Sequence, residues 1–312
     1  MAVRSETPWQ AGRLDEARGP RRLLFGRMYE DAEIERAAFQ GKLRVFCIAS
    51  AGDTAFRLSH EHDVVACDIN PAQLAYAEQR LRGGAVETGD AERVMNFARA
   101  FMALVGWRRG IVREFLALSE VDGQAKFWRE RLDTRRFRAG FDLLMSRAVL
   151  RTVYTPRLLS VLPVRFGAVL RKRLDRGFSR HPNSENPYAR ALLLGEPGDE
   201  VRPCAKRVRM VLEDAASFLE SCPPRSFDGF ALSNILDGAS EAYRARLFRA
   251  VRGAASDEAV IVLRSFAEPP PRLARNLAEC DRSLLWGVVE IRHAQEFQAS
   301  PFDTLKNKTP RT

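Results

Sequence analysis

Two short apolar runs end in residues able to hold a nucleoside. Leu43 to Ser50 (LRVFCIAS) leads into Ala49-Ser50-Ala51-Gly52-Asp53, and Asp63 to Ile69 (DVVACDI) leads into Asp68-Ile69-Asn70. A small-residue turn around Gly52 at a strand's carboxyl end lets a ligand approach backbone N–H groups. Asp68, 16 positions further on, is placed to accept both hydroxyls of a ribose lying across the strand ends. Asn70-Pro71 then opens a helix with Gln73 in its first turn. In VLEDAASFL, Asp214-Ala215 follows another apolar run, where a carboxylate could meet an adenine amino group. In FALSNILD, a further run ends at Ser233-Asn234 with Asp237 close behind. Helix capping is the plain structural alternative for Asp68 and Asp214. No GxxxxGK[ST] cradle for phosphates is present, so the pattern suits a nucleoside without them, and S-adenosylmethionine is the expected cofactor.

Strands and helices must alternate to bring these positions to one edge. Strand, helix, strand, helix between Leu43 and Leu81 predicts a βαβ unit. The alternation breaks off from about Gly84 to Lys206, where helical stretches such as VMNFARAFMALVGW and VRFGAVLRKRLDRGF precede a polar loop, SRHPNSENPYAR. It resumes with VRMVLED, AASFLESC, FDGFALSNI, SEAYRARLFRAVRGA and EAVIVLRSF, and LLWGVVEI supplies a last strand. The expected fold is α/β, a Rossmann-like class I methyltransferase fold with a mostly parallel sheet and an inserted helical subdomain. The expected organisation is a flexible arm over 1–24, a cofactor domain from 25–90 and 207–297, a basic acceptor-side insert over 91–206, and a disordered tail over 298–312.

With 46% apolar residues among 312, the chain can bury a core, which excludes disorder and collagen. No run of about 18 uncharged apolar residues occurs, and the start lacks a signal-peptide stretch, so a cytoplasmic protein is expected. The five cysteines (Cys47, Cys67, Cys204, Cys222, Cys280) are scattered, with no CxxC pair and four histidines in all, which predicts buried thiols and neither disulfides nor a metal. Ala91 to Val208 holds 24 Lys and Arg against 12 Asp and Glu, while the rest of the chain is nearly balanced. That excess suits an anionic membrane surface or nucleic acid, or simply a solvated face. Trp107, Phe127 and Trp128 interleave with arginines, but core packing explains them more cheaply than stacking on bases, so nucleic acid is not the expected partner.

In order and wording, IASAGDTAF, VVACDINPAQLAYAEQRL, HPNSENPY, VLEDAASFL, FALSNILD and CDRSLLWGVVEI resemble the betaine-lipid synthase family, S-adenosylmethionine:diacylglycerol 3-amino-3-carboxypropyltransferases. FGRMYEDAEIE is similar to that family's amino-terminal element, with Tyr29-Glu30-Asp31 where Trp-Glu-Asp is usual. The resemblance spans roughly Phe25 to Ile291. It implies transfer of the cofactor's aminocarboxypropyl chain to a lipid hydroxyl such as that of diacylglycerol, with release of methylthioadenosine, at the membrane periphery. Gly238 stands where the family tends to carry an aromatic residue, and the chain resembles a shorter, divergent member. These three departures touch the acceptor side rather than the cofactor sheet, which leaves another hydroxyl or amine acceptor, a methyltransferase on a small molecule or nucleic acid, and a non-catalytic lipid- or cofactor-binding module as alternatives.

A sulfonium offers three carbons to attack, so the enzyme selects among them by positioning. An alcohol acceptor also calls for a base within hydrogen-bond reach. The loop RHPNSENPY offers His181 as base and Tyr188 as orienter, with Asn186 beside them. Asp31 and Asp237 are the further catalytic candidates, and Tyr29 and Glu30 are expected on the acceptor side. Without the resemblance, His181 reads as an ordinary surface-loop histidine.

Overall fold

A computed structural model describes residues 22–152, 156–196, 202–271, 273 and 275–296. Most of the expected arm and all of the expected tail lie outside these residues.

Six strands form one sheet: β1 (Arg44–Ile48), β2 (Asp63–Asp68), β3 (Val208–Leu212), β4 (Phe227–Ala231), β5 (Ala255–Ser265) and β6 (Val288–His293). Their order is β3-β2-β1-β4-β5-β6, parallel except for β6, which runs antiparallel to β5. This is a Rossmann-like class I arrangement, and its strand order reverses between β1 and β4. Strand residues alternate between two cores. Phe46, Val65 and Cys67 pack on one face with α12 (Ala215–Ser221) and α13 (Glu241–Ala254). Val45, Cys47, Val64 and Ala66 face α1 (Glu33–Ala38), α2 (Asp53–Leu58) and α3 (Pro71–Leu81).

Between α3 and β3 the chain forms a helical layer. It comprises α4 (Asp90–Leu104), α5 (Arg109–Leu116), α6 (Val121–Phe127), α7 (Arg135–Leu144), α8 (Arg147–Leu150), α9 (Pro156–Val161), α10 (Phe166–Phe178) and α11 (Pro187–Leu194). Its core is aromatic. Trp107 stacks on Phe137 at 4.3 Å, and Trp128 is buried against both. The interleaved aromatics are thus engaged inside the layer.

Three expectations need correction. SRHPNSENPYAR is not all loop: Asn186-Pro187 starts α11 as Asn70-Pro71 starts α3, each Asn side chain accepting first-turn N–H groups. The local signal was the same Asn-Pro pair in both places. Residues 22–24 are not loose, since Leu24 is buried and its N–H bonds the Gln73 side chain at 3.1 Å. Of the thiols, only Cys47 and Cys67 are buried; Cys204 and Cys222 are half-buried and Cys280 is exposed, because those three lie in connections rather than in central strands.

Candidate active site at the carboxyl edge of the sheet

The turn after β1 folds tightly, with the Gly52 N–H on the Ala49 carbonyl at 2.7 Å. Gly52 has φ +94°, and a Cβ there would strike the Phe56 ring at 2.4 Å, so glycine is required twice over. Ser50 also takes a left-handed backbone (φ 44°), and so does Ser233 beyond β4 (φ 50°). Two non-glycine residues held in this costly conformation at the ends of adjacent strands mark the point where the sheet order reverses.

Asp68 is buried at the end of β2. One carboxylate oxygen accepts from the Ser50 N–H at 3.0 Å and the other from the Asn70 N–H at 2.9 Å, and burial pushes its pKa up to about 6. It thereby ties the two turns together, with Ile69 half-buried between them. Asp214 takes the capping role, accepting from the Ser217 N–H and from the Tyr243 hydroxyl at 2.6 Å; Ala215 follows in α12 and is buried.

A strap over residues 22–31 crosses this edge. The Arg22 carbonyl receives the Asn70 side-chain N–H, Gln73 pairs with the backbone of Leu24 and Phe25, and the Tyr76 hydroxyl donates to Gly26. The Met28 N–H meets Asp53 at 2.8 Å, and Asp53 also holds Arg80 at 2.9 Å. Asp53 and Gln73, expected to touch the cofactor, are therefore the strap's anchors, their polar atoms already engaged by backbone and guanidinium.

At the β4 and β5 ends the strap delivers carboxylates to a buried guanidinium. Glu30 accepts a short hydrogen bond from the Ser233 hydroxyl. Its other oxygen lies 3.7 Å from Arg264, which is 0% exposed and chelates Glu35, bonds Asp281 at 2.9 Å and donates to the Asp31 carbonyl at 3.0 Å. Burial pushes Glu30 up to about 7, against the pull of Arg264. Asp31 is the opposite case. Burial pushes it up, but two hydrogen bonds and the charge of Arg282 win and hold it below the ordinary range. It is a fixed anion, which gives this further catalytic candidate no readiness to take up a proton. Asp237 is pushed up to about 6 by burial but accepts from the Ser265 hydroxyl and the Phe266 N–H, which makes it the clasp between β4 and β5 rather than a free catalytic group. Asn234 sits between Ser233 and Asp237.

The loop with the expected base divides. Asn186 donates to the Arg282 carbonyl, and the Tyr188 ring lies 5.7 Å from the Arg282 guanidinium, so both join the Asp31 side of the site. Burial and the Asp31 charge push the Tyr188 hydroxyl far up, which keeps it neutral. The His181 ring is instead bonded to the Glu279 carbonyl at 2.9 Å. Among the described residues no hydrogen bond joins it to Asp31, Tyr188 or the strand ends. Tyr29 points away from Ser233 toward Arg99, and burial pushes its hydroxyl up to about 12.

Sequence reasoning missed Arg264, Asp281 and Arg282. A lone arginine in the otherwise apolar run AVIVLRSF was the available signal, because a strand buried on both faces carries a charge only with partners waiting for it.

Glu30, Asp68 and Asp237 all have raised pKa values, so the folded chain holds protons that the unfolded chain releases above about pH 4. Their contribution to stability is present at low pH and lost as pH rises through 6 to 7. Glu30→Gln is expected to flatten that slope and to raise the melting temperature at pH 8 relative to the parent by on the order of 5 °C. Thermal melts at pH 5 and 8 measure it; equal slopes for parent and variant would refute it.

Compared with known proteins, the chain matches no protein family and no curated sequence. Among solved structures it is similar to an rRNA methyltransferase from Streptomyces viridochromogenes, at 15% identity over 78% of this chain and 76% of that one, with a TM-score of 0.29. A likeness that distant carries nothing about the reaction, and none of these comparisons bears out the betaine-lipid synthase resemblance. The fold rests on the sheet order itself.

Proposed function

We propose that the protein is an S-adenosylmethionine-dependent transferase that moves the 3-amino-3-carboxypropyl group to the hydroxyl of a lipid such as diacylglycerol and releases methylthioadenosine. One observation carries the lipid acceptor. The helical layer lines a half-open, mostly apolar cavity of about 690 Å³ with side chains such as Met102, Phe141, Leu162, Leu170 and Leu174. The cavity reaches Arg22, whose carbonyl is bound by Asn70, and Phe266, whose N–H is bound by Asp237. It therefore abuts the carboxyl edge of the sheet at two points, as an acyl-chain site beside a cofactor cleft would.

The cofactor's nucleoside belongs at the reversal point, its ribose hydroxyls on Asp68 and its body against Ala49, Ser50 and Gly52. Attack by the lipid oxygen on the side-chain carbon breaks its bond to sulfur, and the sulfonium leaves as neutral methylthioadenosine. The hydroxyl proton needs an acceptor, and Glu30 fits that role better than His181. It is buried, bonded to Ser233 at the end of β4 and half-ionised near neutrality. Glu30→Gln is expected to lower turnover about 100-fold, while His181→Ala stays within about threefold of the parent; reversed effects would return the base to His181.

A peripheral place at an anionic membrane is supported by α4, which turns Arg93, Phe97, Ala100 and Leu104 outward along one face, with Phe97 also bordering the cavity. No helix among the described residues is long and apolar enough to cross a membrane.

Mass spectrometry after incubating the protein with S-adenosylmethionine and diacylglycerol vesicles tests the reading. Methylthioadenosine together with an aminocarboxypropyl adduct supports it. S-adenosylhomocysteine would make the protein a methyltransferase instead.

A further inference from the structure

A second cavity of about 290 Å³ lies on the far side of the strap, and nothing in the proposed reaction uses it. Strap residues alternate. Met28 packs on Ala51 and Tyr76 and Glu30 bonds Ser233, whereas Arg27 and Tyr29 line this second space. Arg99 borders it and the apolar cavity alike, so the two meet across one side chain.

Two buried polar atoms there have no partner among the described residues, Nε of Arg27 and Oε1 of Glu92. The first is a cationic donor. The second belongs to a carboxylate that is 7% exposed and whose other oxygen accepts from the Gly26 and Gly89 N–H groups at 2.7 and 2.9 Å. Unpaired buried atoms of charged groups are rare, and a donor and an acceptor left open in one small space describe what would fill it. The charges lining the cavity balance, Arg27 and Arg99 against Glu87 and Glu92, so a ligand of either net sign gains little and one carrying both signs gains most. Gly195 keeps the wall open: its backbone is left-handed (φ +70°), and a Cβ there would come within 3.0 Å of Arg99.

We propose that this cavity binds a zwitterionic α-amino acid group, its carboxylate toward Arg27 and its ammonium on Glu92. The neighbouring apolar cavity suits such a group carried on an aliphatic chain. If the proposed reaction is right, its lipid product is one such molecule; that identification rests on the proposed function, whereas the recognition itself does not.

Calorimetric titration of the full chain, with and without saturating methylthioadenosine, which carries the nucleoside but no amino acid group, tests the assignment with L-homoserine, O-hexyl-L-homoserine and hexanoate. Both amino acids should bind whether or not methylthioadenosine is present, and hexanoate should not. Arg27→Gln and Glu92→Gln should each weaken them by about tenfold, with methylthioadenosine binding unchanged. A clear preference for the hexyl compound identifies a lipid headgroup, and equal affinities a free amino acid; either supports the site. Binding of hexanoate as tight as that of the amino acids, displacement by methylthioadenosine, or no response to either substitution would overturn it. None of these readouts depends on whether methylthioadenosine is formed, so failure here and failure of the transferase reading remain separate results.

Discussion

Arg264→Ala is expected to destabilise the fold by about 3–5 kcal/mol, enough to leave much of the chain unfolded at ordinary temperature. The guanidinium is fully buried, and its removal strands Glu35 and Asp281 without a cation and the Asp31 carbonyl without its donor. Desolvating those carboxylates is tolerable only while the charge at their centre persists. Burial alone would lower the pKa of Arg264, yet the three surrounding acids hold it well above its ordinary value, so the group does not escape by losing its proton. Arg282→Ala provides the contrast. That side chain is 32% exposed, water can replace it at Asp31, and the expected loss is about 1 kcal/mol. Urea unfolding of both variants measures the difference; similar midpoints would mean that Arg264 is not the hub its contacts describe.

Asp68→Ala is expected to weaken S-adenosylmethionine binding by about 100-fold, the loss of two charge-assisted hydrogen bonds to the ribose. Because burial pushes Asp68 up to about 6, the same interaction should fade in the parent protein as pH falls below that value, when the carboxylate takes a proton and loses an acceptor. Calorimetry at pH 7.5 and 5.5 should therefore show weaker binding at the lower pH in the parent and little pH effect in Asp68→Ala. An unchanged affinity in the variant would remove the nucleoside from this edge of the sheet.

The carboxyl edge of the sheet was legible because buried parallel strands announce themselves. LRVFCIAS, DVVACDI and FDGFALSNI are apolar runs cut off by small or acidic residues, and such breaks are where strands end and ligands gather. The roles within that edge were less legible. Gln73 and Asp53 look like ligand-binding groups by type and position, and only the strap lying on them shows otherwise. His181 drew attention by residue type, yet its ring is occupied by a carbonyl of a segment nearly a hundred positions away in sequence. Local patterns hold no record of such pairings. Arg264 is the reverse case, where one charge in an apolar strand implied distant partners without saying which ones.

The strap's partners also fix the order in which the protein can be completed. Glu35 lies 229 positions before Arg264, and Asp31 lies 251 before Arg282. On a ribosome Glu35 and Asp31 emerge more than two hundred residues ahead of their counter-ions. The sheet edge from β3 through β1 can assemble earlier, but its roof waits for the stretch around CDRSLLW. A chain cut between β5 and Arg282 would thus keep five of the described strands while leaving Asp31 without its cation.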